Sequence, residues 1–76
     1  MARLRKLSYE VFISKDSHRR AEEWCKERWG TQWSVVSNRD GIWSCFWAGT
    51  RGPYSGMYRY IFENEQDAMW FALRWS

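Results

Sequence analysis

Gln32-Trp-Ser-Val-Val-Ser-Asn-Arg-Asp-Gly-Ile-Trp-Ser-Cys-Phe-Trp-Ala48 is the stretch on which the fold turns. Its two flanks, 32–37 and 42–48, are rich in β-branched and aromatic residues, and Asn38-Arg-Asp-Gly41 between them has the composition of a tight turn. The reading is a pair of antiparallel strands joined by a three-residue loop with a bulge, Gly41 taking the left-handed conformation. Antiparallel partners step in opposite directions, so Ser37 is expected to face Trp43, Val35 to face Cys45 and Trp33 to face Trp47. One face of the hairpin then carries Trp33, Val35, Trp43, Cys45 and Trp47; the other carries Ser34, Val36, Ile42, Ser44 and Phe46. A slip of one residue would exchange the two faces.

Upstream, Leu7-Ser-Tyr-Glu-Val-Phe-Ile13 alternates with period two and predicts a first strand with Leu7, Tyr9, Val11 and Ile13 on one side. Ser14-Lys-Asp-Ser17 supplies N-cap chemistry for a helix to Trp29, stopped at Gly30, with Ala21, Trp24 and Cys25 on its inner side. Downstream, Gly49-Thr-Arg-Gly-Pro-Tyr-Ser-Gly56 is a loop, and Met57 to Phe62 is a strand whose inner residues are Tyr58, Tyr60 and Phe62. Asn64 caps a last helix with Ala68, Phe71, Ala72 and Trp75 inward, Met69 and Leu73 flanking, and Trp70 and Arg74 outward. The expected fold is α+β: β-α-β-β-β-α, a four-stranded, mainly antiparallel sheet with two helices packed on one face.

Seven tryptophans in 76 residues suit a domain too small to be stabilised by aliphatic packing alone. Trp24, Trp33, Trp43, Trp47 and Trp75 are expected inside, Trp70 outside, and Trp29 fits either place. The net charge of +3 resides entirely in Arg3, Arg5 and Lys6, because nine basic and nine acidic residues follow Leu7. The chain therefore divides into a basic arm, 1–6, and one neutral domain, 7–76. Cys25 and Cys45 lack metal or redox spacing and are expected to be reduced thiols. Neither a leader nor a membrane span is legible, and the expectation is a cytoplasmic protein without membrane, metal or cofactor.

Nothing in the sequence assembles a catalytic constellation. His18 stands near helix-capping residues, the carboxylates of Glu22, Glu23 and Glu27 alternate with basic residues as on a solvated helix, and the glycine-rich loop lacks a phosphate-binding fingerprint. The expected role is non-enzymatic binding, to a protein partner or to a second copy, as an accessory or inhibitory factor of the kind a phage encodes. The candidate surface is the sheet face away from the helices, with Phe12, Val36, Ile42, Phe46, Met57 and Ile61 around Glu10 and Arg59, joined by Arg51 and Tyr54 of the loop and by Trp70 and Arg74.

Nucleic-acid binding is the alternative, through Arg3, Arg5 and Lys6 and the arginine and aromatic surface. The element order after the first strand resembles that of double-stranded-RNA-binding domains. Those domains open their final helix with lysines, whereas Asn64-Glu-Gln-Asp67 places acid there, which repels phosphate.

Overall fold

Alternation in the first strand and capping chemistry after it produce the elements they predict. The structure, a computed structural model, describes residues 7–33 and 41–75. In chain order the elements are β1 (Tyr9–Ser14), α1 (Lys15–Trp29), β2 (Trp43–Trp47), β3 (Met57–Phe62) and α2 (Glu65–Trp75). Ser14 sits at φ −61°, ψ 145°, and its hydroxyl accepts from the Asp16 N–H at 3.2 Å, which satisfies one of the open donors at the start of α1. Asp16 in the first turn and Lys26 and Arg28 in the last complement the helix dipole. Gly30, at φ 82°, ends the helix by donating its N–H to the Lys26 carbonyl. At α2 the Asn64 carbonyl accepts the first helical bond, from Ala68 N–H, while its amide donates to the Asp67 carboxylate.

The sheet order is β1-β3-β2, and both pairings are antiparallel. Three rows cross it on the helix side: Tyr9, Phe62 and Trp43; Val11, Tyr60 and Cys45; Ile13, Tyr58 and Trp47. Both helices lie over this face. Phe71 of α2 packs between Tyr60, ring centroids 4.5 Å apart, and Phe62, at 5.3 Å. Together with Ile13, Ala21, Cys25, Trp43 and Ala68 these rings form the core, each large one contributing on the order of 3 kcal/mol by leaving water. Trp24, Trp29 and Trp75 pack around it half-buried, and the Arg28 guanidinium lies 5.4–5.7 Å from the rings of Trp24, Trp29 and Trp70.

The expected four-stranded sheet is corrected to three strands among the described residues, so β-α-β-β-β-α becomes β-α-β-β-α. Gln32 and Trp33, the described part of the extra strand, are not in a strand, while 34–37, the Asn38 to Asp40 turn and Val36 lie outside the described residues. Among the described residues the element order likened to double-stranded-RNA-binding domains therefore lacks the first of its three strands. The expected register fails for the same reason: Trp33 donates its N–H to the Trp43 carbonyl at 2.7 Å and so lies beside Trp43, not Trp47. Two interactions hold the chain there. The Trp43 indole N–H donates to the carbonyl of Gly30 at the end of α1, and the Ser44 hydroxyl donates to the Trp33 carbonyl.

Gly41 is needed for a close approach: a Cβ there would stand 2.7 Å from Trp33 N and 2.8 Å from Gln32 C and would strike Thr31 O. Only a glycine lets 31–33 approach this closely. Trp47, expected inside, is 45% exposed at the β2 end of a row whose other end, Ile13, is buried, and Met69 and Leu73 turn outward with Trp70, not toward the core. Ile42, expected on the outer sheet face, is half-buried against the core.

Candidate functional site

The central position of β3 puts Arg59 in the middle of the outer sheet face, directly between Phe12 of β1 and Phe46 of β2. The loop from Ala48 to Gly56 folds back through bonds from Ala48 N–H to Met57 O and from Gly56 N–H to Gly49 O, both 3.0 Å. This fold-back lays Tyr54 flat on Phe12, with centroids 3.8 Å apart and planes 10° apart. The Arg59 guanidinium stands 5.6 Å from the centre of the Phe46 ring, a cation–π contact worth roughly 0.5–1 kcal/mol at an exposed site. Phe12, Phe46, Trp47, Arg51, Tyr54 and Arg59 line one groove, to which Ala48 and Pro53 add apolar wall; among the described residues its lining holds two guanidiniums and no carboxylate.

Five sequence-derived candidates, Phe12, Phe46, Arg51, Tyr54 and Arg59, are therefore brought together. Ile61 lies on the same face in the next row, between Glu10 and Ser44. Ile42 leaves the surface, as described above. Trp70 and Arg74 belong to the helix layer on the other side of the sheet, Trp70 beside Arg28 and Arg74 4.4 Å from the Trp75 ring, so they are not part of this groove. Val36, Arg3, Arg5 and Lys6 lie outside the described residues. Trp47 is the groove residue that sequence reasoning missed, having been assigned to the core.

A polar cluster lies on the helix side. His18 stacks flat on Tyr58, centroids 3.5 Å and planes 3° apart, and its Nδ1 is 2.8 Å from the hydroxyl of Tyr60. That hydroxyl donates to the His18 carbonyl at 3.2 Å. Cys45 Sγ is 3.3 Å from Gln32 Oε1 and 4.0 Å from Glu22 Oε2. His18 and Glu22 are four apart on α1 and so share the face that meets Cys45 of β2. The signal was present in the sequence as His18-x-x-x-Glu22, but its third member is remote along the chain.

Burial lowers the His18 pKa from its ordinary value, with Glu22 opposing, so the imidazole is neutral at neutral pH. Burial, then the Glu22 carboxylate, pushes the Cys45 thiol up to about 11, and burial raises Tyr60 well above the usual phenol range. Cys45 therefore stays a thiol at neutral pH, which argues against an activated Cys–His nucleophile. Cys25, fully buried on the inner face of α1, is raised further by the same desolvation.

Among the described residues no helix is long and apolar enough to cross a membrane. No family model matches this chain, and no curated protein or solved structure matches it either.

Proposed function

We propose that the protein is a small, non-enzymatic binding module that receives a partner protein in the groove on its outer sheet face. The observation that supports it is the convergence of Phe12, Arg59 and Phe46 from three strands with Tyr54 and Arg51 from one loop. Aromatic walls and arginine are the residue types that dominate protein interfaces. Among the described residues the lining carries positive charge without a carboxylate, so the complementary partner surface presents an acidic side chain beside an apolar one. Self-association through this groove fits less well, because a two-fold axis through the row would set arginine-bearing grooves against each other.

Nucleic acid is the second reading, supported by the same guanidiniums. The rings favour protein over bases: Phe12 and Tyr54 cover one face of each other and Arg59 lies over Phe46, which leaves Trp47 and the other face of Tyr54 for stacking.

Peptide display against the full chain, beside titration with short single- and double-stranded oligonucleotides at low and moderate salt, tests the choice. The expected result is selection of peptides with Asp or Glu next to an aromatic or aliphatic residue. Their binding should fall at least about tenfold, the scale of a hot-spot loss, in Arg59→Ala and Phe46→Ala but not in Trp70→Ala. Peptides indifferent to Arg59 and Phe46 would refute the groove, and salt-sensitive oligonucleotide binding that needs Arg59 would move the function to nucleic acid.

A further inference from the structure

His18, Glu22 and Cys45 offer three different donor types from two elements, and their donor atoms all lie within 4.8 Å of one another. Each is half-buried, held at the seam between α1 and β2. We propose that these three residues bind a zinc-type divalent transition-metal ion, with a fourth position open to water or to the Gln32 carbonyl oxygen.

Distances can be tested against coordination geometry. With metal bonds of about 2.0 Å to nitrogen and oxygen and about 2.3 Å to sulfur, the edges of a tetrahedral site are about 3.3–3.5 Å. Cys45 Sγ and Glu22 Oε2 are 4.0 Å apart, and the widest pair of the three is no more than 4.8 Å apart, so closing the site needs about 0.5–1.5 Å of side-chain movement. The proposal requires rotation of the Glu22 and Cys45 side chains to supply this movement.

The surroundings are those of a supported ligand set. The His18 ring cannot turn freely, since Tyr58 covers its face and Tyr60 meets Nδ1. Gln32 brings an amide oxygen to 3.3 Å from the sulfur. The mixed set of imidazole, carboxylate and thiolate selects against calcium and magnesium, which take oxygen ligands, and suits zinc or its spectroscopic substitute cobalt(II). Binding replaces the thiol proton of Cys45 by the metal and releases that proton to solvent. Because the ligands join α1 to β2, the ion would cross-link the helix to the edge strand beside segment 31–33.

The test is cobalt(II) titration of the metal-free full chain, prepared without a polyhistidine tag. The expected result is stoichiometric uptake with a near-ultraviolet thiolate-to-cobalt charge-transfer band and the intense visible bands of four-coordination, both discharged by zinc. Cys45→Ser should lose the charge-transfer band, and His18→Gln should weaken affinity by at least about tenfold. Far-ultraviolet circular dichroism shows whether each variant has kept its fold, and the wild-type spectrum is decisive on its own. Absence of the charge-transfer band in folded wild type, or its survival in folded Cys45→Ser, overturns the proposal.

Discussion

Replacing Gly41 by alanine adds one methyl group at the place where two stretches of backbone come closest. That methyl would lie 2.7 Å from Trp33 N and 2.8 Å from Gln32 C, with Thr31 O closer still. Ordinary carbon contacts need about 3.5 Å, so segment 31–33 must retreat by about an ångström. The bond from Trp33 N–H to Trp43 O, now 2.7 Å, would then break, and the one from the Ser44 hydroxyl to Trp33 O, at 3.1 Å, would stretch beyond use. Ser44 is buried, so its hydroxyl loses its partner without gaining water. Two lost bonds of about 1 kcal/mol each, with up to about 2 kcal/mol of residual strain, predict a loss of about 2–4 kcal/mol.

The assay is urea unfolding followed by far-ultraviolet circular dichroism, with Gly52→Ala as the control. Gly52 has φ 88° but nothing within 4 Å of its would-be Cβ, so its replacement meets only left-handed backbone strain of about 1–2 kcal/mol. Gly41→Ala should unfold at clearly lower urea than Gly52→Ala, with an unchanged slope. A Gly41→Ala protein as stable as the Gly52→Ala control would refute the close approach of 31–33 to residue 41 as a determinant of the fold.

Trp43→Phe should cost about 2–4 kcal/mol, since Trp43 is wholly buried and the smaller ring leaves both a void and a Gly30 carbonyl without its indole donor; thermal unfolding measures it, and a loss below 1 kcal/mol would count against that packing. Cys25, buried and held protonated by its surroundings, should resist alkylation in the native protein and react only through global unfolding, so its modification should accelerate with urea as the unfolded fraction does; fast labelling in native buffer would contradict its placement.

Local chemistry made all five elements legible to within about two residues; the error was a sixth, the strand expected over 32–37. Ser14 and Gly30 bracket α1 because capping is decided within a few residues, and the alternation around Val11 and Tyr60 marks strands whose faces differ in burial. The stretch that looked most decisive failed where pairing depended on distant contacts. Trp33 was placed opposite Trp47 by turn counting, whereas tertiary bonds from Trp43 to Gly30 and from Ser44 to Trp33 set its actual position. Gly41 marks a close approach of 31–33 that turn composition alone does not reveal. On the outer face, alternation correctly gathered Phe12, Phe46, Arg59 and Ile61, since period two is enough to choose a side. It could not show Tyr54 arriving on Phe12 from a loop, nor Cys45 meeting His18 and Glu22 across the core face.

The arrangement of indoles in the helix layer has an optical consequence. Trp24 meets Trp29 and Trp75 edge-on at 5.3 and 6.3 Å, close enough for their electronic transitions to couple. Such coupling depends on mutual ring orientation, so the near-ultraviolet dichroism of this chain reads the docking of α1 against α2. A state that kept both helices but let the side chains loosen would retain its far-ultraviolet spectrum and lose that signature. The half-exposed Trp47 and Trp70 would meanwhile report, through the colour and quenching of their emission, on the end of the sheet and the outside of α2. Without any label, the protein thus carries separate optical reporters for its interior and for two of its surfaces.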